Sequence, residues 1–95
     1  VFEVRGWDIE NKIILRPEQA VLGDKVTVPT LDGQVLMTVP PDSHSGQKLR
    51  LKGKGLPRKE GGRGDQYVRV EIDIPRQLGK EEKELYRKLM SISKK

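Results

Sequence analysis

Lys25-Val26-Thr27-Val28-Pro29-Thr30-Leu31-Asp32-Gly33-Gln34-Val35-Leu36-Met37-Thr38-Val39 alternates apolar and polar residues on both sides of Leu31-Asp32-Gly33. Period two is the spacing of a half-buried strand, and Asp-Gly at the midpoint marks a hairpin, because both residues tolerate positive φ. The stretch predicts two antiparallel strands. Val26 and Val28 share one face of the first; Val35, Met37 and Val39 share one face of the second. A lone hairpin is marginal in water, so this face must be covered by further strands.

Those strands are visible on either side. Val1 to Arg5 alternates weakly, and Gly6-Trp7-Asp8 reads as a turn. Ile9 to Leu15 follows as a strand, with Ile9, Ile13 and Leu15 on one face and Ile14 opposite. Pro17 suits the first position of a helix and Glu18 its first turn, while Gly23 suits its end. A helix of one to two turns is expected there. Beyond the hairpin, Pro40 to Gly46 has loop composition. Gln47 to Lys52 alternates sharply, with Leu49 and Leu51 inward and Lys48, Arg50 and Lys52 outward. Gly53 to Gly64 is a long glycine-rich connection, of the kind that is often functional or mobile. Asp65 to Ile74 is the longest strand, with an apolar stripe of Val68, Val70, Ile72 and Ile74. From Lys80 the spacing becomes helical: Leu85, Tyr86, Leu89 and Met90 recur on one face, with Glu81, Glu82 and Glu84 near the start. Lys94 and Lys95 suit its C-terminus. Gly79 replaces the usual Ser, Thr or Asp cap.

The order predicts a mainly β chain: a small antiparallel β-sandwich over residues 1–76, with a short helix after the first strand, then a C-terminal helix over 77–95. Ninety-five residues allow one such domain with a thin core. Charged residues (35%) match apolar ones (34%), yet the alternation argues against disorder. The absence of cysteine removes disulfides, cysteine-based zinc sites and thiol nucleophiles, and fits a reducing, cytoplasmic setting. No apolar run approaches a membrane span, so no membrane partner is expected. The first residue is Val1, which suggests a piece of a longer protein.

The net charge of +5 is concentrated between residues 47 and 64, where Lys48, Arg50, Lys52, Lys54, Arg58, Lys59 and Arg63 face Glu60 alone. Such a patch attracts phosphate or acidic partners, or simply keeps a strand edge solvated. Lys48, Arg50 and Lys52 could track the phosphates of a nucleic acid, which gives a nucleic-acid-binding β-domain as the alternative reading. Single-strand binders also need aromatic platforms, and none of Phe2, Trp7, Tyr67 or Tyr86 interleaves with the triplet. Nucleic acid is therefore not expected as a partner.

Catalytic chemistry finds little footing. Asp42-Ser43-His44-Ser45 holds the residue types of a hydrolytic triad, but neighbours in sequence do not readily adopt its geometry, and turn chemistry explains them. Arg63-Gly64-Asp65 spells an adhesion tripeptide at a strand start, where a turn needs glycine. Gly53-Lys54-Gly55 lacks the spacing of a phosphate loop. With one His and no clustered carboxylates, no metal is expected, and no cofactor or catalytic residue is assigned. The remaining candidates are apolar. Ile13 and Leu15, Val26 and Val28, and Val68 and Val70 form one layer that is mostly core. Part of it could line a shallow groove for an extended peptide, held by main-chain bonds and by pockets for alternate side chains.

Several segments in order resemble one family: Phe2 to Ile9, Pro17 to Gly23, Val28-Pro29-Thr30-Leu31-Asp32-Gly33, Pro40 to Gly46, Leu49 to Pro57, and Gly62-Arg63-Gly64-Asp65. Together they resemble the C-terminal substrate-binding region of DnaJ-type co-chaperones, and within it the second of two β-domains. The resemblance implies a non-enzymatic module that binds unfolded or extended polypeptide clients. It implies a homodimer joined through the C-terminal helix, and delivery of clients to a DnaK-type chaperone by the full-length protein. By position, the family's peptide groove maps to Ile13, Leu15, Val26, Val28 and Val68, and dimerisation to Leu85, Tyr86, Leu89 and Met90. The His-Pro-Asp motif that stimulates the chaperone ATPase is absent, since His44 is followed by Ser45. No such stimulation is expected of this chain alone.

Overall fold

The computed structural model describes residues 2–93; Val1, Lys94 and Lys95, the last two expected at the end of the terminal helix, lie outside them. In chain order the elements are β1 (Glu3–Arg5), β2 (Asp8–Leu15), α1 (Pro17–Leu22), β3 (Asp24–Thr30), β4 (Gly33–Val39), β5 (Lys48–Leu51), β6 (Gln66–Ile72) and α2 (Lys80–Ser93). One sheet has the strand order β1-β2-β6-β5, and β3 and β4 form a second.

The hairpin pairs in the expected register, Val26 with Met37 and Val28 with Val35. Its turn departs in one detail. Only Gly33 takes positive φ (101°), while Asp32 does not, and Thr30 Oγ1 accepts the Asp32 N–H at 3.1 Å. Asp32 thus serves through both its backbone N–H, held by Thr30, and its carboxylate, which pairs with Arg63 and Lys54.

The expected small β-sandwich is present, and its strand pairs are antiparallel except for one. β2 and β6 run parallel, from Ile9 opposite Gln66 to Leu15 opposite Ile72. Alternation decides which face of a strand is apolar but not the direction in which distant strands pair. Here the direction is set where the two strands begin. The Ile9 N–H donates to the Asp65 carbonyl at 2.9 Å, and the Asp65 N–H donates to Asp8 Oδ1 at 2.8 Å.

The two sheets enclose Leu15, Val28, Met37, Val39, Val68 and Val70, flanked by the half-buried Ile13, Val26, Leu49, Leu51 and Ile72. Full burial of such a side chain stabilises by about 1.5–3 kcal/mol. Ile74, expected to end the inner stripe of β6, lies beyond the strand and is exposed. Gln66 is fully buried in its place at the other end of the stripe. Its Nε2 donates to Asn11 Oδ1 and to the Pro29 carbonyl, both at 3.0 Å, so one amide joins the two sheets.

α1 begins at Pro17, with the Arg16 N–H held by Gln19 Oε1 at 2.9 Å, and ends where the Gly23 N–H meets the Gln19 carbonyl. α2 is capped by Glu82, whose Oε1 accepts the Gly79 N–H at 3.0 Å; this third-position carboxylate compensates for the missing cap residue. No residue of α2 is buried. The molecule measures 56 × 25 × 18 Å, with a radius of gyration of 16.7 Å. A compact chain of this length would give about 12–13 Å. The terminal helix therefore projects from the sandwich rather than completing its core.

Candidate functional site: the cleft between the two helices

α1 is short, and its one inward residue is Ala20. Successive helix positions turn by about 100°, so burying Ala20 sends Val21 and Leu22 outward. They are 58% and 74% exposed. α2 brings Leu85 and Leu89, 59% and 58% exposed, to the opposite wall. Arg16, Pro17, Glu18, Glu82 and Tyr86 complete an open, mainly apolar cleft of about 350 Å³.

One end of this cleft is closed by a polar clamp. The Arg16 guanidinium lies 2.6 Å from Glu18 and also binds Glu82 on α2, while Tyr86 Oη donates to Glu18 Oε1 at 2.9 Å. The Glu82 carboxyl is held below its ordinary range by the Gly79 N–H and then by Arg16. Glu18 is lowered by its own backbone N–H and by Tyr86, and Tyr86 is raised chiefly by Glu18. All four side chains are substantially solvated. The clamp therefore orients α2 but holds it weakly, as exposed ion pairs do.

The four residues assigned to dimerisation separate on this helix. Leu85, Tyr86 and Leu89 line the cleft, whereas Met90 lies outside it and is 55% exposed; Ile92 extends the exposed surface. Arg16, Val21 and Leu22 were not assigned a role from sequence. The signal was the apolar run Ala20-Val21-Leu22, too long for one face of a six-residue helix.

The five residues assigned to peptide binding do not form an accessible groove. Leu15, Val28 and Val68 are sealed between the sheets at 2% exposure or less. A cross-strand layer of apolar residues closes on itself once both sheets are in place, which leaves these three side chains no open face. Ile13 and Val26 sit at the rim, half-buried. A different feature is open there: β1 covers only Asp8 to Glu10 of its side of β2, and no strand among the described residues pairs with that side from Asn11 to Leu15. Ile14 projects from this stretch, 62% exposed.

The basic segment is largely paired. Lys48 Nζ lies 2.9 Å from the nearly buried Glu10, Arg50 Nη2 lies 2.7 Å from Asp65 Oδ2, and Arg63 and Lys54 converge on Asp32. Lys48 holds Glu10 below its ordinary range, Arg63 does the same for Asp32, and the Gly53 N–H followed by Arg50 lowers Asp65. The Arg63-Gly64-Asp65 tripeptide is thereby structural: Arg63 Nε donates to the Gly55 carbonyl, and Asp65 Oδ1 accepts the Gly53 N–H at 2.8 Å. The long connection is anchored at its base rather than free. In the Asp42–Ser45 loop, Ser43 Oγ donates to the Pro40 carbonyl at 2.6 Å, and the Ser43 N–H to that of Ala20. These are turn contacts, with no triad geometry.

Among the described residues, no helix is long and apolar enough to cross a membrane, and no cluster of potential ligands is placed to hold a metal ion.

The fold and its loop lattice define a β-rich module of the DnaJ C-terminal class. Residues 1–75 match the DnaJ C terminal domain family, and the chain belongs to it. It is 47% identical over 91 residues to the Chaperone protein DnaJ of Synechococcus elongatus, covering 96% of this chain and 32% of that protein. It is 48% identical over 89 residues to the Curved DNA-binding protein of Coxiella burnetii, covering 94% and 28%. A third relative, the Chaperone protein DnaJ of Deinococcus proteolyticus, is 41% identical over 93 residues, covering 98% and 30%. The chain thus spans about a third of the length of these curated relatives.

Proposed function

We propose that this chain is a non-enzymatic module of a cytoplasmic DnaJ-type co-chaperone that dimerises through α2 and so holds two client-binding arms together. The observation that carries the reading is the run of exposed apolar side chains from Val21 and Leu22 across to Leu85 and Leu89. Exposed apolar patches of this kind on a small domain mark interaction surfaces. The occupant is a second copy, as the resemblance to the DnaJ-type C-terminal region implies. Light scattering of the chain with Leu85→Glu and Leu89→Glu tests it. The expected result is a shift from dimer to monomer with the β-sheet circular dichroism unchanged; a dimer that survives both substitutions refutes it.

Clients are unfolded, extended polypeptides, and delivery to a DnaK-type chaperone belongs to the full-length protein. The open side of β2 from Asn11 to Leu15 supports a direct contribution: main-chain bonds to an added strand, with the half-buried Ile13 and the exposed Ile14 on this stretch for apolar side chains.

A second reading has one observation in its favour, the relatives whose names describe curved DNA binding. On this chain it would fall to Lys52, Arg58 and Lys59, which make no ion pair among the described residues. Carboxylates already occupy Lys48, Arg50, Lys54 and Arg63. Titrating duplex DNA against the chain at rising salt separates the two: binding that weakens steeply with salt supports the DNA reading, and its absence removes it.

A further inference from the structure

We infer that α2 pairs with α2 of a second copy in antiparallel order, about a two-fold axis near Leu85, and that Glu81 and Lys88 select this direction. The inference rests on the dimer reading above and adds to it an orientation and the residues that impose it.

Glu81 lies four residues before Leu85 and Lys88 three after it, so the three share one helix face, and Ile92 continues the same row. Leu85 and Ile92 are 59% and 65% exposed. The charges bracketing this row are uncommitted: Glu81 and Lys88 make no ion pair among the described residues, whereas Glu82 binds Arg16 and Glu84 binds Arg87. The first half of the helix is mixed, with Lys80 and Lys83 among Glu81, Glu82 and Glu84, whereas the charges of its second half, Arg87 and Lys88, are all basic.

In a two-fold interface, residue i meets residue j and j meets i. Antiparallel pairing near Leu85 places Glu81 against the partner's Lys88, twice over, with Leu85 at the centre. Parallel pairing places Glu81 against the partner's Glu81 and Lys88 against the partner's Lys88. The helix dipoles add to the same preference, since antiparallel neighbours oppose their end charges. Val21 and Leu22 of α1 then form the lateral wall of the interface, which accounts for their exposure on a helix that buries only Ala20.

Sedimentation equilibrium of the chain at low salt provides the test, with Glu81→Lys, Lys88→Glu and the double variant. Each single change turns two facing attractions into repulsions and should weaken the dimer roughly tenfold. The double variant restores opposite charges across the axis and should recover wild-type affinity. Circular dichroism confirms that each variant keeps its helix. If all variants dimerise as the wild type does, the dimer reading stands and the antiparallel assignment falls. If the wild-type chain remains monomeric, or its cleft takes up an extended apolar peptide as a monomer, both fall.

Discussion

The carbonyl oxygen of Trp7 occupies the space that a β-carbon on Gly64 would need: that carbon would lie 2.0 Å from it. A β-carbon on Gly55 would lie 2.5 Å from the same oxygen. Three stretches of backbone converge here, joined by Leu56 N–H to the Trp7 carbonyl at 2.8 Å and by the Gly55 N–H to the Gly64 carbonyl at 2.9 Å. The obstacles are main chain and cannot rotate aside. Gly64→Ala and Gly55→Ala should each destabilise by about 1–3 kcal/mol or more, read from the urea midpoint at constant slope.

Gln66 is the next point of rigidity. Its amide nitrogen satisfies Asn11 and the Pro29 carbonyl together, inside a core otherwise built from aliphatic side chains. Gln66→Leu fits the volume but strands both acceptors. A loss of about 1–3 kcal/mol is expected in thermal or urea unfolding, and a neutral outcome would show that the cross-sheet amide contributes nothing.

Asp65 ties the long connection to β5. Its carboxyl is lowered by the Gly53 N–H and then by Arg50. A group whose folded pKa is depressed contributes stability above its ordinary pKa and loses it as pH falls through the lowered value, here below about pH 4. Asp65→Ala should remove that contribution at neutral pH as well. The connection would then loosen, and trypsin should cleave after Arg58 and Lys59 several-fold faster, with the β-sheet signal retained.

Alternation carried most of this fold in readable form. The strands from β2 to β6 and the terminal helix fall where the period of apolar residues places them, because burial of one face is a local demand, whereas α1 follows from Pro17 and Gly23 at its two ends. The direction of β2 against β6 was not readable, since it depends on Asp8 and Asp65 meeting across a long stretch of chain. Nor was the role of Gln66, a polar residue at an inward position whose acceptors lie on two other strands. The site was legible in part. Leu85, Tyr86 and Leu89 follow from helical spacing, but an apolar strand residue looks the same whether it faces a groove or a core. By that ambiguity Leu15, Val28 and Val68 read equally as groove or core, and the structure seals them in the core.

The clamp on α2 should respond to pH from both sides. Glu82, with its lowered pKa, supports docking above the ordinary carboxylate range and releases it below about pH 4; Tyr86, with its raised pKa, supports docking below about pH 10 and releases it as pH rises further. Spin labels on α1 and α2 should report a narrow distance distribution between these limits and a broad one outside them. Arg16→Ala should broaden it at pH 7 while leaving the melting temperature of the sandwich nearly unchanged.

The open side of β2 makes a separate demand. Ile14→Pro removes a main-chain donor and imposes a ring on that edge. An extended apolar peptide labelled for fluorescence anisotropy should bind it several-fold more weakly than the wild type, while Leu36→Lys, on the outer face of the other sheet, should leave binding intact. Equal loss in both would place the peptide elsewhere.

Because α2 contributes nothing to the interior, the terminal helix and the β-body answer to separate constraints. With α2 as the pairing element proposed above, substitutions that retune which copy a chain joins need not be reconciled with the packing between the sheets. A lineage carrying several such proteins could keep each one faithful to its own kind by editing a handful of helix positions while the body stayed as it is.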